Sequence, residues 1–411
     1  VTLSALLYLG IFLLGALVGG QLNRAIYRLA WFPRPIGPWS APHPQAPPRR
    51  ASDRIPVLGW WGLRRESPIH GKGYWIRPAA IELLTGAGLA LLYAWHVPEA
   101  GLIPDAVPPP DDPRMLIATY LAHTLLICLM IVATFIDLDE QTIPDWVTMP
   151  GTLVGLVLMA AWPAAALPIA TTIGTRPVGI EPLRLTSPHD WAGFLDGGAG
   201  LALGLAAFAA WCFAIWPKTV TLRRGIRRAA IYLLASMIRF PGRRVLLAIL
   251  AGGSAVILLV WLLGGDRWQS LLTALVGMAF GGGLIWMVRV IGQAALGKEA
   301  MGFGDVTLMA MIGVYLGWQS TLLVFFMAPL VAVVICLVQW VLTRRRDIAF
   351  GPYLCGAALI LMIGWSEIWQ QWAQPIFSLG WLVPQVLFFC LILMGGMLSL
   401  WRAMEQLLFS R

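Results

Sequence analysis

Phe135-Ile136-Asp137-Leu138-Asp139-Glu140-Gln141-Thr142-Ile143-Pro144-Asp145-Trp146 is a polar stretch between two apolar runs, Met115 to Ile136 and Trp146 to Trp162. Four acids fall within nine residues, in a chain with only 20 acids in 411. Apolar runs of about 20 residues are membrane-crossing helices in waiting. The acids are therefore expected at a membrane face, where a carboxylate is costly and marks function.

Composition points the same way across the whole chain. It is 59% hydrophobic and 12% charged, with a mean hydropathy of +0.76, against roughly 25% charged residues in a soluble domain. The apolar runs are continuous, which predicts helices and not the alternating strands of a barrel. The expected fold is an all-α polytopic membrane protein of about eleven transmembrane helices. The basic residues (net charge +9) sit in clusters between the runs, the cytoplasmic bias of membrane proteins. That placement argues against nucleic acid as a partner and places the N-terminus outside and the C-terminus in the cytoplasm.

Taken in order, residues 1–32 hold the first helix and a basic exit. The first run has no basic residues before it and no small-residue cleavage site after it, so a retained helix is expected and not a signal peptide. Residues 33–78 form a proline-rich cytoplasmic loop with eight Lys/Arg and no cysteine. Residues 79–216 hold helices two to five, residues 217–300 a basic segment and helices six and seven, residues 301–366 helices eight to ten, and residues 367–411 the last helix. Between Lys218 and Arg244 there are eight Lys/Arg and no acid around an apolar centre, Ala229 to Ile238, which predicts an amphipathic helix on anionic lipid. The region from Pro163 to Asp190 is expected to be an outer loop.

A second unusual site is Gly302-Phe303-Gly304-Asp305, at the start of the eighth apolar run. Four expected crossings separate it from Asp137, and an even number returns the chain to the same face. Two carboxylates at one depth can share a proton, one ionised and one protonated. Such a pair can activate water and protonate an amide carbonyl. Glycines beside Asp305 would admit an extended substrate. Other readings exist for each acid. Asp305 opens a helix, where the dipole favours an acid; Pro144 and Asp145 read as a helix start; Asp139 and Glu140 read as a solvated turn. Asp137 sits at a helix C-terminus, where the dipole disfavours it, so it needs another reason to be there.

Other residues carry less. Cys128, Cys212, Cys336, Cys355 and Cys390 lie inside apolar runs with no C-x-x-C pair, and read as small buried residues. The five histidines have no metal-ligand spacing; His123 reads as a polar contact within the third helix. A transporter using the acids as a proton or cation relay is one competing reading, and an inactive scaffold of a secretion apparatus is another.

The pairing of Ile136-Asp137 and Ile143-Pro144-Asp145 with Gly302-Phe303-Gly304-Asp305-Val306-Thr307-Leu308-Met309-Ala310 resembles the bacterial type IV prepilin peptidases, intramembrane aspartic peptidases of the GxGD type. Gly19-Gly20-Gln21-Leu22-Asn23-Arg24, Ile55-Pro56-Val57-Leu58-Gly59-Trp60, Glu82-Leu83-Leu84-Thr85 and Phe350-Gly351-Pro352-Tyr353 extend the resemblance. It implies an inner-membrane endopeptidase that removes the short basic leader of type IV prepilins or type II secretion pseudopilins at the cytoplasmic face. It implies Asp137 and Asp305 as the catalytic pair, with Gly302, Gly304, Pro144 and Asp145 as supporting motif residues. The peptidase reaction implies no cofactor. Many members also N-methylate the new N-terminus with S-adenosylmethionine, and many bind zinc through two C-x-x-C pairs in the first loop. With no cysteine between Pro33 and Pro78, no zinc is expected here.

Overall fold

The computed structural model of the chain describes residues 2–104, 107–110, 112–173, 176–216, 226–297, 301–343 and 349–409. In chain order these form α1 (Thr2–Leu29), α2 (Leu58–Leu63), α3 (Ser67–His70), α4 (Ile76–His96), α5 (Arg114–Glu140), α6 (Asp145–Ala161), β1 (Pro168–Ile173), β2 (Arg176–Pro182), α7 (Gly198–Ile215), α8 (Ile226–Arg239), α9 (Arg243–Leu263), α10 (Gly265–Leu296), α11 (Phe303–Thr343), α12 (Gly351–Ile363), α13 (Trp365–Ile368), α14 (Gln374–Phe377) and α15 (Leu382–Phe409). Lys218, Arg223 and Arg224, part of the basic segment between Lys218 and Arg244, lie outside the described residues. α8 falls where the amphipathic helix was expected.

The protein is a helical, multi-span membrane protein. Among the described residues eight helices are long and apolar enough to cross a bilayer, or nine if α12 and the segment Trp365–Phe377, bent by 85°, make one broken span. Eleven were expected; the difference from nine has two sources, and the 13 residues of α12 account for the step from nine to eight. α6 has 17 residues with Pro150 inside and is about 25 Å long at 1.5 Å per residue, at the short end of the range of about 17–25 residues that can span a bilayer. The eighth and ninth runs join as α11, which is interrupted at Gly317 (φ 78°, ψ 169°), a backbone region that favours glycine. The expected outer loop contains a two-stranded sheet, β1 paired with β2.

The chain divides into two compact units. The first is Val1–Gly151, Leu167–Glu181 and Val324–Gln370. Its α1 and α4 meet through small residues. A Cβ on Gly15 would stand 2.9 Å from Gly86 Cα, and one on Gly19 would stand 2.7 Å from Glu82 Cα. Glycines four apart let helix backbones approach where apolar burial gives no drive. Glu82 is buried between these helices and accepts hydrogen bonds from Trp60 Nε1 (2.7 Å), the Val57 N–H (2.6 Å) and Asn23 Nδ2 (3.3 Å). That ties the proline-rich loop, residues 33–78, to the helices. Within the loop, Arg65 pairs bidentately with buried Asp53 (2.9 and 2.5 Å), and Arg49 pairs with buried Glu66 (2.5 Å). The Arg65 guanidinium holds the Asp53 carboxyl below the usual carboxylate range. With no thiol and its acids taken by arginines, this loop does not fit a thiolate zinc site. The histidine expected as a polar contact makes one: His123 Nδ1 and His96 Nε2 are 2.8 Å apart, joining α5 to α4.

The second unit is Thr152–Ala166, Pro182–Leu323 and Gln371–Arg411. Here α10 presents Gly277 and Gly281 to the first arm of α11. A Cβ on Gly277 would run into the Gly313 carbonyl oxygen, and one on Gly281 would stand 2.5 Å from the Met309 carbonyl oxygen. Beyond the break at Gly317, Trp318 Nε1 donates to the Leu185 carbonyl (2.8 Å) and Gln319 Nε2 to the Arg184 carbonyl (2.8 Å). The break is thus anchored by side chains that follow it directly.

Candidate active site

Asp137 lies in the last turn of α5 and is 5% exposed. The helix ends through Gln141, which adopts the left-handed conformation (φ 54°) and donates its N–H to the Asp137 carbonyl (2.8 Å), an αL cap. Asp137 Oδ2 accepts the N–H of Gly351 at 3.0 Å. Gly351 is the first residue of α12, so the donor belongs to the positive end of a second helix. That supplies what the C-terminus of α5 withholds from a carboxylate. Among the described residues no hydrogen bond reaches Oδ1.

The neighbouring acids stay solvent-accessible, as expected of a polar turn, and also carry partners that hold the turn in place. Asp139 is gripped by Arg77 at both oxygens (2.7 and 2.8 Å), and Arg77 also stacks over Phe135 at 5.3 Å from the ring centre. Glu140 accepts the N–H groups of Trp31 (2.6 Å) and Phe32 (3.1 Å), just past the end of α1. The free donors at that helix exit and the Arg77 fork draw both carboxylates into fixed pairs. Asp145 opens α6 and is exposed. Pro144 precedes it, and its carbonyl accepts the Val147 N–H (3.0 Å), one position earlier than the first-turn proline expected.

In the second unit, Asp305 lies in the first turn of α11 and is 7% exposed. Its Oδ2 accepts the N–H of Gly302 at 3.2 Å. This is the back-reaching half of a capping box, so the helix-start reading of Asp305 is realised in the structure. Gly304 accepts a hydrogen bond from Thr307 Oγ1 at 3.0 Å, and Arg289 stands over the Phe303 ring at 5.7 Å. An apolar cavity of about 320 Å³ opens beside this turn, lined by Phe303, Val306, Thr307, Trp211, Met278 and Trp286 among others.

Each aspartate is thus a buried carboxyl at a helix end, with one oxygen held by a glycine N–H. Such groups can hold and exchange protons. Asp137 falls in the first unit and Asp305 in the second. The residues that sequence reasoning did not assign are Gly351, Glu82 and Arg77. The signal for Gly351 was Phe350-Gly351-Pro352-Tyr353, a proline in the first turn of a helix. Among the described residues no group of three or more His, Cys, Asp or Glu is placed to hold a metal ion.

Residues 124–180 and 229–337 match the type IV leader peptidase family, and each stretch contains one of the two aspartates. The prepilin leader peptidase/N-methyltransferase of Pseudomonas aeruginosa is 34% identical over 108 residues, covering 26% of this chain and 37% of that protein. The protein of the same name from Aeromonas hydrophila is 34% identical over 118 residues (28% and 40%). The one from Dickeya chrysanthemi is 30% identical over 168 residues (33% and 58%). The matches to the first two relatives span about two fifths of those proteins' lengths. No solved structure matches the chain.

Proposed function

We propose, from the match of residues 124–180 and 229–337 to the type IV leader peptidase family, that the chain is a membrane-embedded aspartic endopeptidase acting on type IV prepilins or type II secretion pseudopilins. Asp137 and Asp305 are the proposed catalytic pair. The observation that carries the reading is that the two family-matched stretches each contribute one buried aspartate with a glycine N–H on its carboxylate.

In the proposed reaction the ionised aspartate takes a proton from water as that water attacks the scissile carbonyl carbon. The protonated aspartate donates its proton to the carbonyl oxygen. Collapse of the tetrahedral intermediate breaks the C–N bond, and a proton passes to the leaving amine. General acid–base steps of this kind contribute typically 10²–10⁴-fold. The proposed cut is at the cytoplasmic face of a bacterial inner membrane. Anionic lipid is the proposed partner of the basic segment that contains α8.

The relatives' names also carry N-methylation, which would need S-adenosylmethionine as methyl donor. The pocket beside Glu82, Trp39 and Trp60 has a volume of about 20 Å³, room for about one water, and does not fit such a molecule. No step is assigned to it.

Co-expression with a prepilin, read by the gel shift of leader removal, tests the peptidase. Wild type is expected to cleave, and Asp137→Asn and Asp305→Asn are each expected to lose activity by at least about 10²-fold. Leader removal persisting in both variants overturns the pair. Wild type that leaves cognate prepilins uncut overturns the peptidase.

A further inference from the structure

We infer that Gly351 is a positioning residue for Asp137: its N–H holds Oδ2, and its lack of a side chain is what lets the carboxylate stand where it does, leaving Oδ1 to act. The catalytic meaning of this rests on the peptidase reading above; the contact itself does not.

Three observations converge on this residue. The first is the hydrogen bond, 3.0 Å long and buried, between groups 214 residues apart in the chain. The second is space. A Cβ on Gly351 would stand 2.7 Å from Asp137 Oδ2, 3.3 Å from its Cγ and 2.9 Å from Ile143 Cδ1. Cβ atoms do not approach other heavy atoms below about 3 Å, so something would have to move. The third is that little besides the carboxylate can move. The backbone of Asp137 is fixed by the Gln141 cap and by the Asp139 and Glu140 contacts one turn on. On the other side, Phe350 caps α12 by accepting the Tyr353 N–H (3.0 Å), and the Tyr353 hydroxyl meets Cys336 Sγ at 3.3 Å. Gly351 itself does not have a positive φ and begins a helix. Alanine there also sets a Cβ beside the Pro352 ring in the helical region, a local cost that is the same in every background and so cancels in the paired comparisons below, leaving the methyl group's own contacts.

The two clashing neighbours make the inference testable, because one can be removed without touching the other. Ile143→Val deletes Cδ1, the packing atom, and leaves the carboxylate contact intact. Gly351→Ala is expected to lower kcat for prepilin cleavage about 10- to 100-fold, since a misplacement of about 1 Å costs up to about 10²-fold, with KM changed less than about 2-fold. Ile143→Val alone is expected to cleave like wild type. The Gly351→Ala/Ile143→Val pair is expected to stay as slow as Gly351→Ala. Recovery of kcat in the pair assigns the effect to packing and overturns the inference, as does a Gly351→Ala protein with wild-type kcat.

A measurement without catalysis separates this inference from the peptidase reading. Thermal unfolding of the purified full chain is compared for Gly351→Ala in the wild-type and Asp137→Ala backgrounds. With the carboxylate gone the methyl group loses its closest neighbour, so the drop in Tm is expected to be smaller in the second background. Equal drops overturn the contact even if leader removal is observed. A smaller drop in a protein that cleaves nothing upholds the contact and leaves only the peptidase reading lost.

Discussion

Replacing Glu82 by alanine removes the acceptor for three donors at once. Asn23 keeps its second bond, to the Pro78 carbonyl (2.9 Å), so two donors are orphaned, Trp60 Nε1 and the Val57 N–H. A buried donor left unsatisfied costs about 1–3 kcal/mol, which puts Glu82→Ala at about 2–6 kcal/mol. The Val57 bond carries an additional load. Val57 has φ 63°, a conformation that costs a β-branched residue about 1–3 kcal/mol and persists only under constraint. Freed from Glu82, this turn is expected to relax and release the loop behind it. Glu82→Gln keeps one carbonyl oxygen but turns an NH₂ toward the other donor, so it is expected to lose about half as much. The assay is trypsin digestion of the protein in membranes, cutting at Arg49, Arg50, Arg54, Arg64, Arg65 and Lys72. Cleavage is expected to rise in the order wild type, Gln, Ala, with Tm in detergent falling in the same order. Equal digestion of wild type and Glu82→Ala, or a Gln variant as labile as Ala, refutes the reasoning.

Two further predictions concern elements that frame the aspartates. The Asp53 carboxyl is held below its usual range by Arg65, so its contribution to loop stability is full above the unfolded value of about 4 and is lost as pH falls through the lower, folded value. Protease resistance of the loop is therefore expected to be flat between pH 6 and 8 and to fall below about pH 4. Arg65→Ala, which strands a buried carboxylate at a cost of about 3–5 kcal/mol, is expected to remove that resistance already at neutral pH; an acid limb unchanged in Asp53→Asn would count against the assignment. In the second unit, Gly277→Ala pushes a methyl group into the Gly313 carbonyl, where no flexible side chain can yield. It is expected to lower stability by about 1–3 kcal/mol, whereas Gly283→Ala, with nothing within 4 Å, is expected to be neutral. Equal Tm values for the two variants would remove the close α10–α11 approach as a determinant of the arm that carries Asp305.

What was legible in the chain was local. Hydropathy placed α5 and the start of α11, and so placed both aspartates at helix ends. It also placed Asp145 at a helix start, because Pro144 and an acid are signals read within one turn. The partners of Asp139 and Glu140 were not legible, since Arg77 lies 62 residues away and Trp31 lies 109 residues away, and a carboxylate in a turn reads as solvated unless those donors are known. The β1–β2 pair was missed although Ile169, Thr171, Thr172 and Ile173 form a β-branched cluster; the run is short and sits between apolar helices. The eighth and ninth runs, separated in sequence by Gly317-Trp318-Gln319-Ser320-Thr321, part at Gly317 (φ 78°), a backbone region that favours glycine.

The two aspartates make the same kind of bond by opposite means. Asp305 sits at the N-terminus of its own helix and takes an N–H from a residue three positions back. That bond needs only the sequence Gly302 to Asp305 and a helix to begin. Asp137 sits at a C-terminus, where its own helix offers carbonyl oxygens and no donors, and it takes its N–H from α12, 214 residues later in the chain. The first arrangement is local and survives most changes elsewhere. The second exists only when α12 is docked against α5, so Asp137 is the carboxylate whose geometry depends on the fold of distant sequence. That asymmetry explains why Asp137 was the acid hardest to account for from helix-end physics alone, and why the support for it had to be sought at the Phe350-Gly351-Pro352-Tyr353 turn and not among its neighbours in sequence.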